Sequence, residues 1–309
     1  MKLRNSSNRI YTLNEYIQDQ FGEKLYKLSL DGGMTCPNRD GSIDHRGCIF
    51  CSTERGSGDF AAPASLSITE QIETAKSLVA DKFRGSHYIA YFQAFTNTYA
   101  PIEHLRRIFS EAINNPSIKV LSIATRPDCL PDEVLELLDE LNHIKPVWIE
   151  LGLQTVNPST AQYIRRGYEL ECYRISVDKL HTLNIPVITH VILGLPGETT
   201  TDMLETIHYL NKVKTDGVKL QLLHVLKDTD LALDYAKGLF KALSFDEYID
   251  IVIKCLEHLS PDIVVHRLTG DGARNLLVAP TWSLNKKHVL NTLNHELAVR
   301  DSYQGKEFE

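Results

Sequence analysis

Short apolar runs recur along this chain at a regular beat, separated by stretches in which apolar residues return every three or four positions. The runs are Leu25–Leu30, Tyr88–Phe92, Val120–Ala124, Val147–Leu151, Val187–Leu193, Val218–Leu223 and Ile263–His266. Their length and their content of Val, Ile, Leu and aromatic residues predict strands. The stretches between them predict helices over Thr69–Phe83, Ile102–Ile113, Asp132–Leu141, Tyr173–Leu183 and Met203–Val213; Ile72, Ala75, Leu78 and Val79 mark one stripe of the first. A short amphipathic helix, Leu13–Phe21, precedes the first strand, and helices over Phe245–Leu259 and Lys286–Val299 flank the last one.

A strand and its returning helix take about 30 residues or more, and from the second run onward the spacing fits that unit. The beat therefore predicts repeated βαβ units and a parallel sheet of six strands, with a seventh short strand beyond. An open Rossmann-like sheet and a curved, incomplete barrel both satisfy this pattern. In either, chemistry belongs at the C-terminal ends of the strands. The first two runs are separated by about twice the usual distance, so extra material follows the first strand. No low-complexity linker divides the chain. The expected organisation is a helical segment over 1–24, a main domain over 25–240 and a C-terminal extension over 241–309 packed onto it.

The 309 residues are 43% hydrophobic and 24% charged, enough to bury a large core without disulfide staples, which excludes a disordered, collagen-like or small stapled protein. No apolar stretch reaches the roughly 18 residues of a membrane span. The polar start Met1–Arg9 lacks a signal-peptide core, so the expected compartment is the reducing cytoplasm. In that compartment clustered cysteines read as metal ligands before disulfides. Lys plus Arg total 33 against 40 Asp plus Glu, a net charge of −7, so any nucleic-acid contact must come from a local patch.

Three of the six cysteines fall in the extra material after the first strand: Cys36, Cys48 and Cys51, spaced C-x11-C-x2-C. Taken alone they fit three chemistries. A structural zinc site needs a fourth ligand, for which His45 is available. A redox Cys-x-x-Cys pair would use Cys48 and Cys51 and leave Cys36 idle. A four-iron cluster with three protein ligands uses all three and leaves one iron open. Cys129, Cys172 and Cys255 are scattered and read as inert, partly buried thiols.

Each later strand ends in a distinctive segment: Tyr91–Thr98, Ala124–Asp128, Glu150–Gln154 and His190–Glu198. With the cysteine loop, these five motifs in order resemble the radical S-adenosylmethionine superfamily, in the branch that contains the Elongator catalytic subunit and oxygen-independent coproporphyrinogen oxidase. The pattern is most similar to the Elongator-like YhcC/YtqA group and extends over roughly residues 10–300. The x11 spacing departs from the commoner C-x3-C-x2-C, while Phe50 occupies the family's aromatic position before the last cysteine.

The resemblance implies a partial (β/α)6 TIM-like barrel with a short N-terminal helix and a small C-terminal α/β extension. It implies a [4Fe-4S] cluster on Cys36, Cys48 and Cys51, with S-adenosyl-L-methionine on the open iron and a 5′-deoxyadenosyl radical as the working species. An electron donor such as flavodoxin or ferredoxin is the implied partner. Gln93 and Thr96 stand where the family binds the methionine moiety; related sequences often have a ligand-facing acidic residue at the position of Ala124, and its absence here leaves Thr125 and Arg126 as the weaker candidates. His190 holds the place of a ribose-contacting acid, and a core histidine is an equal reading there. Glu150 and Gln154 share one face of a strand with Gly152. Buried polar groups need partners, which favours ligand contact for both, and the resemblance favours Gln154. Gly194–Thr199 reads first as a structural turn, with Thr199 capping the next helix through Asp202.

For the substrate, the Elongator-like pattern implies modification of a tRNA nucleoside. His224, Lys227, Arg267, Asp271 and Arg274 are candidate contacts, with solvated charge as the plainer reading of each; Arg165-Arg166 and Lys286-Lys287-His288 are candidate phosphate contacts. Two rival readings remain: a radical enzyme acting on a small molecule such as a tetrapyrrole, and a non-catalytic, zinc-stabilised RNA-binding protein.

Overall fold

The computed structural model describes residues 8–52, 63–81, 83–93, 95–270, 272 and 274–308. Residues 1–7 of the expected N-terminal segment, Lys82, Ala94 of the second strand-end motif and the candidate contact Asp271 lie outside them. The described chain opens with helix α1 (Leu13–Phe21). Thr12 starts it by accepting a hydrogen bond from the Glu15 amide, and Gly22 ends it in the left-handed region at φ 70°. Next come β1 (Tyr26–Leu30), α2 (Ile68–Val79), β2 (Tyr88–Phe92), α3 (Ile102–Asn114), β3 (Ile118–Thr125), α4 (Asp132–Asn142) and β4 (Val147–Gln154). A short α5 (Pro158–Tyr163) and a longer α6 (Leu170–Thr182) lead to β5 (Val187–Leu193), α7 (Thr200–Val213) and β6 (Gly217–Leu222). The rest adds β7 (Val225–Leu226), α8 (Asp230–Ala236), α9 (Phe245–His258), β8 (Val264–Arg267), β9 (Leu277–Ala279) and α10 (Lys286–Val299).

Strands β1, β2, β3, β4, β5, β6 and β8 form one parallel sheet in that order. A doubly wound sheet reverses its strand order at a switch point, and this sheet never does. Every crossover steps the same way round, and right-handed crossovers then place the helices on one face. The other face curls inward as the interior of a half-barrel, which decides between the two architectures the periodicity left open. The edge strands β1 and β8 do not pair with each other. Near the start of β8 the gap is narrowed by the segment before α1, where the Tyr11 carbonyl accepts from the Val265 amide at 2.7 Å.

The period of two in each strand separates two cores. In β4, Val147, Ile149, Leu151 and Leu153 join the large cluster beneath the helices, together with Phe92, Phe109, Tyr173 and Tyr248. Trp148 points the other way and meets Ile89, Val120, Ile188 and, from α1, Ile17, which together plug the lower end of the barrel interior. The layer above, toward the C-terminal strand ends, is polar.

All seven expected strands and eight expected helices are present, with ends shifted by a few residues. The seventh strand is more than an appendage: it continues the main sheet beside β6. Short α5 and α8 and the antiparallel pair of β7 with β9 were not foreseen, because segments this short carry no periodicity.

Candidate active site

The loop after β1 closes the long x11 gap by folding on itself. The Cys36 carbonyl accepts from the Arg39 and Asp40 amides, the Asn38 carbonyl accepts from Gly47 at 2.7 Å, and the Cys48 carbonyl accepts from Cys51 at 3.0 Å. Asn38, 1% exposed, fastens the loop to the barrel. Its Nδ2 donates to the Arg165 carbonyl at 2.7 Å and lies 3.5 Å from the Cys48 sulfur. Arg39 grips the end of the loop through the Cys51 and Ser52 carbonyls at 3.0 and 2.5 Å.

Cys36, Cys48 and Cys51 are free thiols on the wall of one cavity of about 310 Å³ at the C-terminal ends of the strands. Burial pushes the Cys48 thiol up to about 12 and raises Cys51 as well. Such thiols become ligands by releasing protons to a bound metal. The expectation that His45 supplies a fourth zinc ligand is not met: His45 is exposed, folds over Gly41, and does not line the cavity. Among the described residues no set of three or more His, Cys, Asp or Glu side chains is drawn together tightly enough for a single ion. Cys48 and Cys51 sit in a turn instead of opening a helix, unlike a thioredoxin-type pair. Three soft thiols on one wall, with no fourth ligand gathered beside them among the described residues, fit a cluster held by three cysteines.

Phe50, Gln93, Thr96, Thr125, Arg126, Glu150, Gln154 and His190, the positions singled out for cofactor contact, border the same cavity. Several are already engaged. Thr125 Oγ1 lies 2.5 Å from the Thr98 hydroxyl, and Thr96 donates its amide to the Thr35 carbonyl. Arg126 holds Asp128 in a two-pronged pair at 2.9 and 2.7 Å, so its charge is matched. Gln154 is different. Its backbone is left-handed at φ 68°, the β4–β5 register slips beside it, and its buried Oε1 has no hydrogen-bond partner. The amide folds back over Gly152, where a Cβ would come within 2.8 Å of Nε2, so a larger residue there would push the Gln154 side chain aside. Strain and an unpaired acceptor in one cavity-lining residue point to a ligand-facing position.

Glu150 departs from the ligand-contact reading. It is fully buried, and Oε1 accepts from Lys27 at 2.8 Å and Ser122 at 2.9 Å, while Oε2 accepts from His190 at 2.7 Å and from Lys219. A carboxylate has about four acceptor sites, so none remains for a ligand. Burial alone would raise its pKa, but Lys219 and Lys27, with the His190 hydrogen bond, hold it well below the usual carboxylate range. Burial draws Lys219 well below the ordinary lysine value against the pull of Glu150. Burial, then the Lys219 charge, pushes His190 down to about 4. His190 is thus neutral at neutral pH, and its Nε2–H is assigned by the carboxylate it faces. Lys27 and Lys219 stand 4.4 and 4.5 Å from the centre of the Tyr91 ring, which is sandwiched in the network.

Tyr91, Lys219 and Tyr168 also line the cavity and carried no site role in the sequence. Lys219 had a signal, a lone charge inside the apolar run Val218–Leu223. Arg166, read as a phosphate contact, is buried and donates to the Leu153 and Thr155 carbonyls, while Arg165 pairs with Asp230 at 2.7 Å. His288 stacks on Phe245, away from the cavity. Of the charged candidates near the chain's end, His224 and Arg267 line the cavity; Lys227 and Arg274 do not.

The Gly194–Thr199 turn behaves as read, with Thr199 and Asp202 forming a reciprocal cap on α7. Just before it, Glu198 accepts from the Thr155 hydroxyl, and burial raises its pKa to about 7. A raised folded-state value means stability is fully present below the unfolded carboxylate value and is lost as pH rises through about 7. Discounted for its partial exposure, the loss is about 1–2 kcal/mol. Glu198→Gln is expected to remove that slope and to be the more stable protein at pH 8, as urea midpoints at pH 5 and pH 8 will show. Equal slopes for the two proteins would refute it.

Fold and site together define an α/β half-barrel with three free thiols on the wall of one cavity at its strand ends. Residues 44–210 match the Radical SAM superfamily and residues 215–298 match the Radical_SAM C-terminal domain. YtqA of Bacillus subtilis is 46% identical over 305 residues, 99% of this chain and 94% of that protein. The chain belongs to the radical SAM superfamily and is an enzyme of that class. The Elp3 of the archaeon Methanocaldococcus infernus, lacking its N-terminus, shares the fold with a TM-score of 0.69 at 14% identity; the match covers 91% of this chain and 64% of that one. A shorter stretch of 112 residues, 36% of this chain and 26% of the relative, is 30% identical to tRNA-2-methylthio-N(6)-dimethylallyladenosine synthase of Fusobacterium nucleatum. Among the described residues no helix is long and apolar enough to cross a membrane.

Proposed function

We propose that this enzyme holds a [4Fe-4S] cluster on Cys36, Cys48 and Cys51, binds S-adenosylmethionine in the same cavity, and modifies a tRNA nucleoside. The observation that carries the reading is the convergence of three free thiols and the strand-end residues on one cavity. When bound and reduced, the cluster supplies the electron that cleaves S-adenosylmethionine to a 5′-deoxyadenosyl radical. The chain's own part is positioning. Asn38 and Arg39 fix the thiol loop, Gln154 offers an unpaired acceptor to a donor group of the cofactor, and Thr96 and Thr125 close the wall beside it. The enclosing barrel limits water around a reactive species. A reducing cytoplasm with a flavodoxin or ferredoxin donor suits such a centre. The tRNA assignment draws on the Elongator-like motifs and on the Fusobacterium relative, whose name states a tRNA product.

The test is anaerobic reconstitution, reduction with dithionite and incubation with S-adenosylmethionine. The protein should release 5′-deoxyadenosine, and Gln154→Ala should need about tenfold more cofactor for half-maximal release while keeping the cluster's visible absorption. Cofactor binding without any 5′-deoxyadenosine under several reductants would end the radical reading. The substrate assignment is checked separately by mass spectrometry of tRNA nucleosides from parent and deletion strains. Identical profiles would remove tRNA as the substrate.

A further inference from the structure

The polar layer of the barrel interior is not electrically balanced. One carboxylate, Glu150, faces Lys27 and Lys219, and both are hydrogen-bonded to it. A third cation, Arg267 on the edge strand β8, lines the same cavity. It stands in register with Lys219, which is in register with His190, so the three form one row across β5, β6 and β8. The Arg267 side chain makes no hydrogen bond or ion pair among the described residues. The other arginines on the wall are occupied: Arg126 by Asp128, Arg166 by backbone carbonyls, Arg39 by the end of the cysteine loop. A half-buried guanidinium with nothing to hold is costly unless an anion arrives. Its planar fork matches carboxylate and phosphate oxygens two at a time.

We propose that Arg267, with Lys219 beside it, forms a subsite for the oxyanion, carboxylate or phosphate, of a small-molecule co-substrate. The inference rests on the function proposed above only in taking this cavity as the place of reaction. A small molecule suits the site better than an RNA backbone. A base that enters a pocket leads with its ring, and its phosphates stay at the rim. Arg267 instead belongs to the inner row that holds Lys219, itself 3% exposed. The cavity volume, about 310 Å³, is of small-ligand size.

The experiment is calorimetric titration of the anaerobically purified full chain with succinate and with inorganic phosphate, against chloride at equal ionic strength, with no reductant or S-adenosylmethionine present. Arg267→Gln and Arg267→Lys are titrated in parallel, and circular dichroism checks that each is folded. The parent should bind at least one oxyanion above chloride. Arg267→Gln should weaken that binding by about tenfold or more, and Arg267→Lys, which keeps the charge and loses the fork, by less. Preference for succinate assigns a carboxylic acid, and preference for phosphate a phosphate ester. No binding above chloride, or equal binding by the glutamine variant, overturns the subsite. Arg267→Gln is also titrated separately with tRNA and with S-adenosylmethionine, and a loss confined to either overturns the subsite and reassigns Arg267 to that ligand. Release of 5′-deoxyadenosine by the parent is measured apart from these titrations, so failure of the subsite and failure of the radical reading are told apart.

Discussion

Glu150→Gln is expected to destabilise the fold by about 3–5 kcal/mol at pH 7, the range for removing one partner of a buried charge network. The substitution keeps the shape and deletes the charge that Lys27, Lys219 and the His190 hydrogen bond all meet. Lys219, 3% exposed, is then left without a counter-charge and sheds its proton instead. Shedding it at pH 7 costs about 1.36 kcal/mol for each unit between pH 7 and the lysine value near 10.4, which caps the loss for this residue at about 4–5 kcal/mol. The sign of the pH dependence follows. In the variant the unfolded chain binds one more proton than the folded one, so its stability should rise with pH by up to about 1.4 kcal/mol per unit. The deficit relative to the parent should therefore shrink between pH 7 and pH 9. Removing the stranded cation as well, in Glu150→Gln/Lys219→Met, should recover most of the loss, because apolar replacements of whole buried ion networks are often neutral. Urea denaturation of the four proteins of the cycle at both pH values decides it. A single variant within about 1 kcal/mol of the parent would mean that Glu150 is a dispensable acceptor.

This keystone role was hidden from the sequence for a physical reason. Glu150 stood out because Glu, Gly and Gln alternate on one face of a strand, and a buried carboxylate demands partners. Its partners are far off in sequence: Lys27 lies 123 residues away and Lys219 lies 69 away, brought together by the curl of the sheet. With strand order unknown, a ligand was the nearest available partner. The same gap explains why periodicity gave the strands and helices but not their arrangement. An apolar run identifies a strand, while the choice between a doubly wound sheet and a half-barrel depends on which neighbours pair. Conversely, the strand-end positions from Gln93 to His190 were legible because parallel α/β folds gather such ends whatever the closure. His45 misled because composition alone makes it a metal ligand, whereas the loop turns it outward over Gly41. For Arg267 the plain reading, a solvated charge, gives way to a cavity position because β8 extends the main sheet.

Replacing any one of Cys36, Cys48 and Cys51 by alanine should abolish iron incorporation and, with it, cleavage of S-adenosylmethionine. The parent should purify anaerobically as a brown protein with about four irons per chain. Cys172→Ala and Cys255→Ala should load iron as the parent does. Cys255 is fully buried among apolar side chains, and neither residue borders the cavity. The prediction is sharp because, among the described residues, no fourth cysteine lines the cavity. His45 faces solvent and Cys129, although buried nearby, is not on the cavity wall. Loss of one thiol therefore cannot be covered by a neighbour, and the effect should be all-or-none instead of graded. The fold should survive it. The cysteine loop is held by Asn38 to the Arg165 carbonyl, by Ile49 to the Ile164 carbonyl, and by the Leu231 amide to Ile49, and none of these bonds uses a thiol. Circular dichroism of each alanine variant should match the parent while the visible absorption disappears. Iron and zinc analysis after reconstitution supplies the opposing outcome. Stoichiometric zinc without iron in the parent, or iron retained in full by any of the three alanine variants, would mean that these cysteines do not hold the cluster together.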